Sequence, residues 1–389
     1  MRPALRLCST SLLSLLALAG CATMPARIPY SSADSIAASI LPGEPVRFWA
    51  KGDDDAYRRR AAKVIADRGA TPVDKPRTFL ALSGGSDKGA FSAGLLNAWT
   101  RRGDRPAFDM VTGVSTGALI APFAFLGSGQ DTALTAIYTN VSAKDIYRKR
   151  ILPGLLGGSG LLDTKPLQTL IARYITPDFL DLIAAEHRKG RRLLVMTTDL
   201  DAQRGVIWDM GAIAASASPR KLALFRQVLL ASASIPGAFP PVLIDATVNG
   251  KHFAELHVDG GTISGFFLLP RDMMVDARAD GSEGAIYILY NGRLAPKFEV
   301  SKPRTLSLVS RALSTVLGEA DRTSIDDLRS FAQERKIRLS VCAIDEPDPD
   351  DDAALFDTEH MRKLYAMGER EGNAKNGCLA STRGTGPTR

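Results

Sequence analysis

The chain has 389 residues, 45% of them hydrophobic, with a formal charge of +7 and four cysteines. That is enough apolar material for a large core, too mild a charge to call for nucleic acid as a partner, and too few cysteines for a disulfide scaffold. No CxxC, HxxxH or HExxH spacing occurs, so the sequence offers no metal motif.

In chain order, Arg2 and Arg6 precede the apolar run SLLSLLALAG, which is too short to span a bilayer as a helix. It closes in Leu18-Ala19-Gly20-Cys21, a tetrapeptide that resembles a bacterial lipobox. Residues 1–20 are thus expected to be a signal peptide removed ahead of a lipidated Cys21. Ala22, rather than aspartate, follows the cysteine, so the resemblance points to a lipid anchor at the periplasmic face of the outer membrane. Removal of Arg2 and Arg6 takes the formal charge from +7 to +5. Residues 21–75 read as a lipidated tether and N-terminal extension with one helix near 54–68. Residues 76–375 read as one domain and 376–389 as a tail. Cys342 and Cys378 are left as either a pair or two free thiols, and the acidic stretch 345–352 reads as an exposed loop.

Short apolar runs alternate with helical periodicity. Strands are expected at 78–83, 108–114, 192–198, 252–259, 285–290 and 337–344. Helices are expected at 88–102, 116–127, 131–142, 164–175, 177–189, 221–233, 305–335 and 357–372. Several strands are apolar on both faces, as strands buried inside a sheet must be. The alternation predicts an α/β fold, a three-layer α/β/α sandwich around a mainly parallel sheet, with the site at the carboxyl ends of the strands.

Three motifs stand at such ends. SGGSDKGAFSAG (83–94) follows the first strand. Ser86 breaks a dinucleotide-binding fingerprint, and Lys88-Gly89-Ala90 breaks a P-loop. A glycine-rich turn into a helix N-terminus remains, where free N–H groups favour negative charge, and its bland alternative is a tight turn without a ligand. GVSTG (113–117) has the spacing of a nucleophile elbow, with Gly113 and Gly117 leaving room for a sharp turn that exposes the Ser115 hydroxyl. HVDGG (257–261) ends a strand in Asp259, which on its own reads as a turn former.

Together and in this order, the three motifs resemble the patatin-like phospholipase family. ASASIPGAFPPV (231–242), GLLDTKPLQTLI (160–171) and FDTEHMRKLYAMG (356–368) add to the likeness, which spans roughly 78–370. The resemblance implies a patatin-like fold and a serine acyl hydrolase acting on membrane lipids or similar acyl esters. Ser115 would be the nucleophile and Asp259 the base, with no histidine and no cofactor. It assigns the oxyanion hole to the N–H groups of Gly84, Gly85 and Ser86, and leaves Lys88 as either a contact for a lipid head group or a charge on the helix surface. Two departures are plain: the family's third glycine is here Ser86, and its arginine is here Lys88. No calcium-loop motif occurs.

Two other functions compete. One is a non-catalytic lipid-binding lipoprotein of the same fold, suggested by Ser86. The other is an α/β-hydrolase esterase whose triad would run Ser115, Asp259, His360. His360 lies in a helical pattern, which argues against that triad; His257, two residues from Asp259, reads as a packed strand histidine. Residues 149–162, apolar and glycine-rich, are a candidate lid or a core-packed connection.

Overall fold

A computed structural model describes residues 24–52, 77–149, 159–268, 284–296, 305–344 and 353–379, with Arg59, Phe298, Val300 and Pro303 besides. Cys21, the expected helix near 54–68 apart from Arg59, residues 150–158 of the candidate lid and the stretch 345–352 lie outside the described residues.

The strands are β1 Arg47–Trp49, β2 Thr78–Leu82, β3 Met110–Val114, β4 Arg148–Lys149, β5 Leu162–Asp163, β6 Arg192–Asp199, β7 Arg204–Asp209, β8 Val242–Val248, β9 Lys251–Asp259, β10 Ala285–Tyr290 and β11 Arg338–Ala343. The helices are α1 Ser32–Ala37, α2 Gly89–Arg102, α3 Thr116–Leu126, α4 Asp131–Thr139, α5 Ala143–Ile146, α6 Lys165–Tyr174, α7 Pro177–Arg188, α8 Met210–Ala215, α9 Lys221–Ser232, α10 Thr305–Arg335 and α11 Thr358–Asn373.

The main sheet has the order β1-β7-β6-β3-β2-β10-β11. β11, β10, β2, β3 and β6 run parallel and form its centre. β7 and then β1 extend it antiparallel beyond β6. The last residues of β6 also pair antiparallel with the end of β9, Thr197 opposite Asp259 and Asp199 opposite His257. β8 lies outside β9. The expected parallel sheet is therefore present, with an antiparallel wing that supplies Asp259.

Alternate residues along each central strand face opposite layers, as the period of two requires. Leu80, Leu82, Val111, Leu193 and Val195 join one buried cluster with the helices α2, α3, α6, α7, α9 and α11. Phe79, Ala81, Met110, Val114, Leu194 and Met196 join a second, smaller cluster with Phe266, Phe267 and the α10 residues Ile325, Phe331 and Ala332. Local chemistry sets the helix starts. Thr176 accepts from the Phe179 N–H ahead of Pro177, and Asp357 accepts from the His360 N–H.

The N-terminal extension is more than a tether. β1 is an edge strand of the sheet, and the Arg47 guanidinium forms a bidentate ion pair with Glu255, whose side chain is fully buried. Arg27 pairs with Asp201, and the Tyr30 ring stacks on Phe253 with centroids 4.2 Å apart. A three-residue strand leaves no readable periodicity, which is why the sequence pattern did not show it.

Cys342 on β11 and Cys378 beyond α11, 36 positions apart in sequence, are joined in a disulfide. The cross-link ties the last helix to the edge of the sheet. Closing a loop of that length restricts the unfolded chain, so Cys378→Ser should lower unfolding stability by about 2–4 kcal/mol in urea titrations. Equal stability of the parent with and without reductant would refute that role.

Candidate active site

Ser115 sits directly after β3 and before α3, with φ 56° and ψ −125°. Only a very sharp turn needs this backbone, and it is strained for a residue with a Cβ. The flanking glycines permit it by close approach. A Cβ on Gly113 would lie 2.5 Å from the Gly117 carbonyl oxygen, and one on Gly117 would lie 2.3 Å from that of Leu82. The turn projects the hydroxyl at the N-terminus of α3, where the helix dipole favours negative charge. The Ser115 N–H is held by Ser232 Oγ at 3.0 Å, and Ser232 in turn donates to the Met196 carbonyl at 2.7 Å.

Ser115 Oγ donates to Asp259 Oδ2 at 2.6 Å. The other carboxylate oxygen accepts from the Gly261 N–H at 2.7 Å. The Asp259 backbone is equally fixed, its N–H donating to the Ser234 carbonyl at 2.9 Å and its carbonyl accepting from Thr198 Oγ1 at 3.0 Å. Ser115 and Asp259 are only 7% and 4% exposed. Burial pushes the Asp259 carboxyl up to about 7, against the opposing effect of its two hydrogen bonds. A carboxylate that titrates near neutrality is a far better match to a serine proton than one at its ordinary value.

The glycine-rich loop after β2 lies against this pair. A Cβ on Gly84 would come within 3.2 Å of Ser115 Cβ. One of the three expected oxyanion donors is corrected: the Gly84 N–H donates to the Gly265 carbonyl at 2.8 Å and is not open to a ligand. The N–H groups of Gly85 and Ser86 have no acceptor among the described residues. Gly85 has φ 145° and passes so close to Asn291 that a Cβ would lie 2.1 Å from its carbonyl oxygen. Ser86 adopts φ 54°, the left-handed region, so the serine keeps its N–H at the cost of backbone strain. Lys88 closes the short helical turn Ser86–Lys88 and is half-buried. Asp87, beside it, is buried and accepts from the Phe356 N–H at 2.9 Å.

No histidine stands between Ser115 and Asp259. His257 Nδ1 lies 3.0 Å from Thr197 Oγ1 and its Nε2 3.3 Å from Glu255 Oε2, and its ring packs edge-on against Trp208. His360 is in the first turn of α11, and the described partners of both Asp259 carboxylate oxygens are Ser115 and Gly261. The order Ser115, Asp259, His360 is therefore not built into a triad. Among the described residues, Asp199, Glu255 and His257 bring metal-type donor atoms within 4.8 Å of one another. Both Glu255 oxygens already accept from Arg47, whose charge occupies the place a cation would take.

Sequence reasoning missed the residues that hold the pair in place. Ser232 and Ser234 lie in the ASAS stretch noted for its resemblance, and each fixes one partner. Asn291 braces the loop, with Nδ2 donating to the Ser83 carbonyl at 2.9 Å and its own N–H donating to Ser83 Oγ at 2.7 Å. The signal was available, because Asn291 immediately follows the apolar strand β10 and strand ends carry the site.

The patatin-like phospholipase family matches residues 80–271, a span that takes in the glycine loop, Ser115 and Asp259. The chain carries a patatin-like phospholipase domain. Among solved structures, VipD from Legionella pneumophila is 12% identical with a TM-score of 0.37, the alignment covering 77% of this chain and 66% of VipD. Human GIVD cytosolic phospholipase A2 is 11% identical with a TM-score of 0.30, covering 79% of this chain. The chain spans 53% of that human chain, and just under two thirds of VipD. No curated protein sequence matches it.

Two stability measurements test the geometry. Ser115→Gly and Ser86→Gly should each raise stability relative to alanine at the same position by about 1 kcal/mol, because glycine relieves the positive φ; no gain over alanine would mean those angles carry no strain. Asp259→Asn should raise the melting temperature most at alkaline pH. The unfolded aspartate ionises near 3.8, whereas the folded one ionises near 7, so the parent loses stability as pH rises through that interval and the amide does not. A difference between variant and parent that stays flat from pH 5 to 8 would contradict the raised carboxyl.

Proposed function

We propose that the protein is a serine acyl hydrolase of lipid esters, of phospholipase A or lysophospholipase type, working through a Ser115–Asp259 dyad. The observation that carries the reading is the buried 2.6 Å hydrogen bond from Ser115 Oγ to Asp259 Oδ2, with Asp259 poised near neutrality. The patatin-like domain over residues 80–271 supports a lipid ester as the substrate class.

In the proposed reaction, Asp259 Oδ2 takes the Ser115 proton as Oγ bonds to the ester carbonyl carbon. The carbonyl oxygen becomes an oxyanion facing the N–H groups of Gly85 and Ser86, at the positive end of α3. Asp259 then gives its proton to the departing alcohol as the ester C–O bond breaks, leaving Ser115 acylated. Water attacks the acyl group, its proton passing to Asp259 and then back to Ser115 as the fatty acid leaves. Each proton taken is returned, and no metal or cofactor enters. The hydrogen bond of Gly261 to Oδ1 keeps Oδ2 turned to the serine throughout.

The lipobox-like Leu18–Cys21 supports anchoring of the mature chain at the periplasmic face of the outer membrane. The Cys342–Cys378 disulfide supports an oxidising compartment.

The test is hydrolysis of a soluble nitrophenyl ester and of long-chain phospholipids by the parent and three variants. Ser115→Ala and Asp259→Asn should each lower kcat about 10³-fold or more, and His360→Ala should leave it within about threefold. The general base acts only when ionised, so kcat/KM should rise with pH through about 7 and level off above it. A parent inactive on every ester would point to a lipid-binding protein instead. Loss of activity in His360→Ala at intact folding would bring back the triad.

A further inference from the structure

The N-terminal half of α10 is an exposed apolar feature that the dyad does not use. α10 runs opposite to the parallel strands, for its C-terminal end leads through Lys336 into Arg338 at the start of β11, the end of the sheet away from Ser115. Its C-terminal half packs on the sheet through Ile325, Phe331 and Ala332. Asp321 marks the point where the helix reaches the catalytic edge. Its carboxylate accepts from the Gly265 N–H at 3.0 Å and from the hydroxyl of Tyr290, the last residue of β10, at 2.9 Å. Gly265 in turn holds the Gly84 N–H of the oxyanion loop. The residues from Thr305 to Ala320 therefore extend past the carboxyl edge of the sheet, the edge that carries Ser115, by about 24 Å at 1.5 Å per residue.

That extension exposes what a soluble surface normally hides. Leu308, Leu313 and Val316 are 49%, 54% and 65% exposed, and Phe298 and Val300 just before the helix are 92% and 81% exposed. Five of the eleven exposed large hydrophobics among the described residues thus fall within one short segment. At 100° per residue, Leu308, Val316 and Leu313 share an arc of roughly 140°. In sequence, positions 297–320 hold Lys297, Lys302, Arg304 and Arg311 against Glu299 and Glu319, a net charge of +2. No helix among the described residues is long and apolar enough to cross a membrane, and an exposed apolar face within a basic stretch of sequence fits a helix lying in an interface.

We infer that the Thr305–Ala320 half of α10, with Phe298 and Val300, is an interfacial helix that seats the active-site edge on an anionic lipid surface. Its purpose rests on the proposed lipid hydrolysis, but its existence does not. The contact through Asp321 and Gly265 joins the docked helix to the loop that receives the oxyanion, so the surface and the catalytic edge meet the membrane together.

The test uses the full-length protein with L313W, and with L182W on α7 as the control, since Leu182 is 50% exposed on another helix. The native Trp49, Trp99 and Trp208 are all buried and out of reach of lipid. Vesicles of brominated phosphatidylglycerol should quench the added L313W emission about twofold, with much weaker quenching by brominated phosphatidylcholine and none for L182W. Equal quenching of both variants, or of both lipids, overturns the inference. L313S/V316S should lower kcat/KM on phosphatidylglycerol vesicles about tenfold and leave a soluble nitrophenyl ester unchanged. Quenching in a protein that hydrolyses no ester would uphold the surface while the catalytic reading fails. Hydrolysis without quenching would do the reverse. A dimer dissociated by L313S/V316S, with no quenching, would assign the face to a second copy of the chain and remove the proposal.

Discussion

A carboxylate and a serine hydroxyl sealed from water against each other form the contact on which the rest of the site depends. In water an aspartate is too weak a base to take a serine proton. Its burial changes that, because the charged form loses its solvation and the proton affinity rises. Such a group is tolerable only where both oxygens have partners, and here Ser115 and Gly261 supply them. The fold therefore has to bring two strand ends to within one hydrogen bond, with the serine on a strained turn and the aspartate on an antiparallel wing.

The surrounding contacts serve that demand. β3 and β9 do not pair with each other; both are registered against β6, Val114 opposite Met196 and Asp259 opposite Thr197. One strand thereby sets the spacing of Ser115 and Asp259. Ser232 and Ser234 at the end of α9 hold the two backbones from the side. The N-terminal segment reinforces β9 from its other end, where Arg47 neutralises the buried Glu255 and Glu255 in turn meets His257. A buried ion pair of this kind adds little net stability over apolar packing, but breaking it leaves an uncompensated charge inside the protein. It makes the register of β9, and so the position of Asp259, hard to change.

Two of the six described non-glycine residues at positive φ stand at this site. Ser115 and Ser86 both occupy positive φ without being glycine, one on the elbow and the other on the glycine-rich loop beside it. At Ser115 the conformation is needed to project a hydroxyl. At Ser86 a glycine would do the same work with less strain. Gly84, although expected as a donor, spends its N–H on Gly265 and serves instead to let the loop approach Ser115.

By itself the sequence determined the elements and their chemistry. The six strands and eight of the nine helices expected from periodicity are present, the ninth, near 54–68, lying outside the described residues; apolar runs with a period of 2 or 3.6 have few alternatives once a large core must form. Ser115, the glycine loop and Asp259 were legible as a set, because their order at three strand ends resembles one family, whereas each alone reads equally as a turn. What stayed hidden depends on pairing between distant segments. The edge strand β1 is too short to carry a pattern, and the partners and direction of β7 and β8 are not written in their own residues. The pairing of Cys342 with Cys378, the bracing by Asn291 and the capture of the Gly84 N–H arise only when remote backbones meet. Composition cannot show which N–H is already taken, since a hydrogen bond is decided by the position of its acceptor. The tertiary structure alone therefore decided which donors remain at the site, and how far Asp259 is removed from water.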